Sequence, residues 1–129
     1  MSKKLFYLAS PFTDPNQQIR EERVKGATEA AINLLLQGIY AFSPIAYNGN
    51  WTRRELPGDW GFWCEFDKLF LERCDALIVL KLDGWDRSVG VKEEIAYAAQ
   101  LLRPTFYVTL EDVLAGKIND VQLYIQLNG

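Results

Sequence analysis

Residues 75–82 read Asp-Ala-Leu-Ile-Val-Leu-Lys-Leu, with no polar side chain from Ala76 to Leu80. A strand with one wet face alternates apolar and polar residues, so an unbroken run must be covered on both faces. Residues 4–9 (Lys-Leu-Phe-Tyr-Leu-Ala) have the same character and are closed by Ser10-Pro11. Residues 39–43, ended by Pro44, and residues 105–109, which follow Arg103-Pro104, predict two more strands. Helical patterns separate them. Val24, Ala27, Ala31 and Leu34 share one face over residues 15–38, with Gly38 as the stop. Residues 59–73, 89–102 and 111–115 are also helical, residues 47–57 and 83–88 are loops, and residues 118–129 fit strand or helix.

Strand-helix alternation with doubly buried strands implies an α/β fold of three layers. It is flavodoxin-like or Rossmann-like, with a parallel sheet of four to five strands in a single domain over residues 1–129. Right-handed crossovers put the carboxyl ends of the strands along one edge, where such folds bind ligands. Ser10-Pro11-Phe12, Ser43-Pro44-Ile45 and residues 83–88 are expected to meet there.

Composition narrows the chemistry. A net charge of -3 offers no general attraction to a nucleic acid polymer or an anionic membrane. No apolar run is long enough to span a bilayer. The opening Met1-Ser2-Lys3-Lys4 runs straight into a strand, unlike a signal peptide. Cys64 and Cys74 read as reduced thiols of a cytoplasmic protein. The chain has no histidine, which excludes Ser-His and Cys-His catalysis and the usual zinc sites. Carboxylates, arginines, tyrosines and hydroxyls are left to do any chemistry.

One carboxylate stands out. Val91, Ile95, Ala98, Leu101 and Leu102 form an apolar arc, and Glu94 falls inside it while Glu93 points away with Tyr97 and Gln100. Burying a carboxylate is costly without partners, and a helix N-terminus favours its ionised form. Glu94 is therefore either a nucleophile or stabiliser at a cationic centre, or a structural acceptor closing the core. Ser88-Val89-Gly90 suits an anion at a helix start, or a plain N-cap. Arg20 and Arg23 either bind phosphate or belong to the solvated ion-pair run Arg20-Glu21-Glu22-Arg23. Trp51, Trp60 and Trp63, with Tyr47, Phe62 and Phe66, either stack a flat base or form core and subunit interface. Asp83 and Asp86 either donate a proton to a leaving base or solvate the loop around Gly84-Trp85, and the loop reading leads for Asp83.

Together, Tyr7-Leu8-Ala9-Ser10-Pro11 and Ser88-x-Gly90-x-x-x-Glu94-Ile95 resemble the nucleoside 2-deoxyribosyltransferase superfamily. Arg20-Glu21-Glu22-Arg23, Phe42-Ser43-Pro44-Ile45-Ala46, Asp59-Trp60-Gly61-Phe62-Trp63 and Gly84-Trp85-Asp86 look more like an uncharacterised phage and bacterial branch of it. The resemblance covers roughly residues 5–108. It implies that Glu94 attacks or stabilises the anomeric carbon, that Tyr7 orients it, and that an acid such as Asp86 protonates the leaving base. Ser10, Pro11, Phe12, Ser43, Ser88 and Gly90, with Arg20 or Arg23, would line the sugar and its 5' side, and Trp60 and Trp63 the base. The transferases carry an aspartate six residues before the glutamate, where this chain has Ser88; a serine there is similar to the 5'-monophosphate N-hydrolases.

The expectation is an N-glycosidase or transferase acting on a nucleoside or nucleotide without metal or other cofactor, as a homodimer. Two other readings stay open: a nucleotide-binding sensor without turnover, and cleavage of a dinucleotide such as NAD.

Overall fold

The computed structural model describes residues 3–49, 51 and 60–128. Its sheet has four strands, β1 (Leu5–Ala9), β2 (Tyr40–Phe42), β3 (Ala76–Leu80) and β4 (Thr105–Val108), all parallel and ordered β2-β1-β3-β4. The expected architecture is the one found. Around the sheet lie α1 (Gln17–Leu36), α2 (Pro44–Asn48), α3 (Trp60–Glu72), α4 (Val89–Gln100), α5 (Leu110–Ala115) and α6 (Asn119–Asn128).

The unbroken apolar runs are the two central strands, and every residue from Phe6 to Ala9 and from Ala76 to Leu80 is buried. Strand alternation sorts them between two cores. Phe6, Leu8, Ala76, Ile78 and Leu80 pack with Ala30 and Leu34 of α1, Val113 of α5 and Val121 of α6. Tyr7, Ala9, Leu77 and Val79 pack with Leu71 of α3 and with Val91 and Ala98 of α4. Tyr7 is thereby committed to the α3/α4 side.

Helix starts follow ordinary capping. The Asn16 side chain accepts from the Gln18 N–H, Ser88 from Val91 and Thr109 from Asp112. Gly38 takes φ 80° just past α1, a conformation that favours glycine.

Some local expectations change. Residues 44–48 form the short helix α2, started by Pro44 and capped by Ser43, where a loop was expected from residue 47. Residues 85–87 make a 3-10 turn, and the ambiguous tail is helix α6, whose Tyr124 and Ile125 pack on the core beside Val121. Most of the expected 47–57 loop, and Asp59, lie outside the described residues.

Successive strands are added on opposite sides of β1. The sheet therefore has its switch point between β1 and β3, and the crevice above their carboxyl ends is the ligand position of such folds.

Candidate active site

Glu94 sits on the inner stripe of α4 with Val91 and Ala98, and is 5% exposed. The fully buried Tyr7 hydroxyl donates a hydrogen bond to its Oε2. Burial pushes the Glu94 carboxyl up to about 8; the Tyr7 bond acts against that rise, and the Asp67 charge adds to it. The helix N-terminus alone suggested an ionised group; removal from water outweighs it. Burial and the Glu94 charge also hold the Tyr7 phenol well above its usual value, so it remains a donor.

The sequence reading missed a second carboxylate. Asp67 of α3 is 7% exposed, its Oδ1 has no hydrogen-bond partner, and burial raises it to about 6. Asp67 lies four residues after Trp63 and four before the fully buried Leu71. That placement within an apolar helical stripe is the same signal that marks Glu94.

Both carboxylates line a cleft of about 140 Å³ at the carboxyl edge of the sheet. Ala9 enters from the end of β1, Ser10, Phe12 and Thr13 from the β1–α1 connection, and Pro44, Ile45 and Asn48 from α2. Trp60, Trp63 and Asp67 come from α3, Trp51 from the segment before it, and Ser88, Gly90, Val91 and Glu94 from the start of α4. Gly90 lets Trp60 approach: a Cβ there would stand 3.3 Å from the indole Cε3. Trp51 and Trp63 meet with centroids 6.2 Å apart. Two acidic groups thus face an aromatic-walled crevice that, among the described residues, has no lysine or arginine in its lining.

Residues 4–109 match the family described as Domain of unknown function (DUF1937). The chain belongs to the DUF1937 family. No curated protein matches it by sequence. Among solved structures, the DUF1937 chain is similar to a 2-deoxyribosyltransferase from the psychrotolerant bacterium Bacillus psychrosaccharolyticus. The two share a TM-score of 0.59 and 24% identity over 81% of this chain and 72% of that chain. The fold implied by the sequence resemblance is the fold observed.

The DUF1937 structure brings together Glu94, Tyr7, Ser10, Phe12, Ser88, Gly90, Trp60 and Trp63 at or directly behind this cleft. Ser10 is buried there and its Oγ has no hydrogen-bond partner. Ser88 has two roles, lining the cleft while its Oγ accepts from the Val91 N–H at 3.2 Å.

Other predicted residues fall elsewhere. Ser43 caps α2 through the Ala46 N–H at 3.0 Å, and the buried Pro11 does not reach the lining. Asp86 lies on the exposed 3-10 turn, 3.7 Å from Arg87 and outside the lining. Arg20 donates to the Asp14 carbonyl. Arg23 donates to the carbonyls of Thr13 at 2.9 Å and Asp83 at 3.0 Å. Both arginines brace the loop after β1 and stay out of the lining, because their planar donors are already aimed at backbone oxygens.

Proposed function

We propose that this protein cleaves or transfers the N-glycosidic bond of a nucleoside, with Glu94 as the carboxylate at the sugar, throughout one nucleoside deoxyribosyltransferase-like domain. The observation that carries the reading is the Tyr7-held Glu94 at the carboxyl edge of β1 and β3, sharing an aromatic-walled cleft with Asp67. The fold likeness to a 2-deoxyribosyltransferase supports it.

Glu94 forms a bond to the anomeric carbon, or stabilises its positive charge, as the bond to the base breaks. Tyr7 holds the carboxylate in place. Asp67, rather than the exposed Asp86, is the second carboxyl within reach of a ligand in this cleft, and in protonated form it delivers a proton to a neutral leaving base. Trp60 and Trp51 flank the base. Water completes hydrolysis; a second base completes transfer.

An unphosphorylated substrate suits the lining better than a 5'-monophosphate. Arg20 and Arg23 are engaged by backbone carbonyls outside the lining, and no cation lines the cleft among the described residues. The molecule works in the cytoplasm as a homodimer. Tyr47, Trp51, Phe62 and Phe66 are exposed beside the cleft, a patch that association would cover.

The test is incubation with a panel of nucleosides and their monophosphates, followed by chromatography of released bases. Free base from nucleosides, absent with Glu94→Gln, is expected. Release of base from monophosphates alone overturns the substrate assignment, and binding without any product overturns the activity.

A further inference from the structure

Among the described residues, the charges in the cleft do not balance. Glu94 and Asp67 are both more than nine-tenths buried, and no basic side chain lines the cleft among the described residues. Asp67 Oδ1 has no hydrogen-bond partner, although it is removed from water. A buried carboxylate left in that condition is costly, and a ligand that meets it removes the cost. The neighbouring walls are aromatic, with Phe12, Trp51 and Trp60 in the lining. Aromatic faces attract positive charge. Carboxylates set among such faces fit a flat cation better than a neutral ring.

We propose that the cleft selects nucleosides whose base carries a fixed positive charge, such as pyridinium or N-alkylated purine ribosides, over neutral nucleosides. The inference rests on the glycosidic reading above and specifies its substrate. The leaving-group chemistry agrees with it. When the bond from the anomeric carbon to the ring nitrogen breaks, its electron pair goes to that nitrogen and cancels the charge. The base departs neutral and needs no proton. Glu94 bonds to the anomeric carbon or stabilises it; water then adds there, giving the free sugar and one released proton. Asp67 remains a carboxylate throughout and serves as counter-charge to the bound base. The bound cation also favours the ionised form of Glu94, opposing the burial that raises it.

Nicotinamide riboside and its neutral 1,4-dihydro form differ in charge at nearly constant size, and titration calorimetry compares them. Binding is read in Glu94→Gln, which does not turn the ligand over. The cationic riboside is expected to bind about tenfold tighter or better, a preference of the size a desolvated cation–aromatic and ionic contact supplies. Adding Asp67→Asn should bring the ratio toward one; if that double variant does not fold, Trp60→Leu takes its place and should narrow the ratio too. A ratio of one or less in Glu94→Gln overturns the proposal. Wild-type base release keeps the two readings apart. Release from neutral nucleosides with a binding ratio of one leaves the glycosidic reading standing and removes this one. No release from any nucleoside, with the ratio intact, removes the activity but leaves the preference for cations.

Discussion

The Tyr7 hydroxyl donates to the Glu94 carboxylate across the packing of β1 on α4, joining residues 87 positions apart in the chain. The bond favours the ionised form of Glu94 in a place where burial opposes it. Tyr7→Phe removes that help, so Glu94 should ionise only at higher pH. For a cationic nucleoside, which needs only ionised Glu94, the acidic limb of the pH–rate profile is expected to move upward, with kcat reduced at neutral pH and recovered in part above it. An unmoved limb would leave Tyr7 a packing residue.

Glu94→Gln keeps the shape of the side chain and its place beside Tyr7 but removes the charge. Base release should fall at least about 10²-fold, the usual scale for losing a carboxylate that acts at the reacting centre. Glu93→Gln, on the exposed side of the same helix, should stay within about twofold of wild type. Steady-state rates for the two variants, with circular dichroism to confirm folding, make the comparison. Equal losses would sink the assignment of Glu94.

The carboxyl pair should shape the pH dependence. Burial raises Asp67 to about 6 and Glu94 to about 8, so between those values the pair holds about one proton. Neutral nucleosides need ionised Glu94 and protonated Asp67, the less populated of the two placements of that proton. Their kcat/KM should follow a bell, falling below about 6 as both protonate and above about 8 as both ionise. A cationic nucleoside needs no acid, so its alkaline limb should be absent. Profiles of the two substrate types on one preparation decide the point.

The same shifts bear on stability. Each carboxyl binds its proton more tightly folded than unfolded, so their contribution is greatest at low pH and is lost as pH rises from the ordinary carboxyl range through about 8. Glu94→Gln should therefore melt roughly 3 °C or more above wild type at alkaline pH, with little difference near pH 4. Thermal melts at the two pH values test it. A variant less stable at alkaline pH would mean that the ionised pair has partners that stabilise it.

Arg23 links the β1–α1 loop to the turn after β3 through the carbonyls of Thr13 and Asp83. Arg23→Ala should cost about 1–3 kcal/mol of stability by leaving these oxygens without a charged donor. Because Arg23 is outside the cleft lining, nucleosides and monophosphates should lose affinity equally. A selective loss for monophosphates, read by calorimetry, would return Arg23 to phosphate binding.

Local pattern in the chain determined a good deal. Two unbroken apolar runs require strands covered on both faces, so the layered parallel sheet was legible without coordinates. Glu94 betrayed itself by sitting in an apolar helical arc, and Asp67 carried the same signal between Trp63 and Leu71 but was masked by the aromatics around it. Spacing along a helix shows which face a residue occupies; it does not show what that face meets. That Asp67 and Glu94 share one cleft depends on α3 and α4 packing on the same side of the sheet. The roles of the arginines were equally out of reach. Their guanidinium groups extend far from the backbone, and loop carbonyls brought near by the fold, at Asp14, Thr13 and Asp83, capture them before any ligand arrives. Periodicity is a property of neighbours in sequence and survives in the bare chain. The pairing of a buried carboxylate with a tyrosine 87 residues away exists only once β1 and α4 have been brought together.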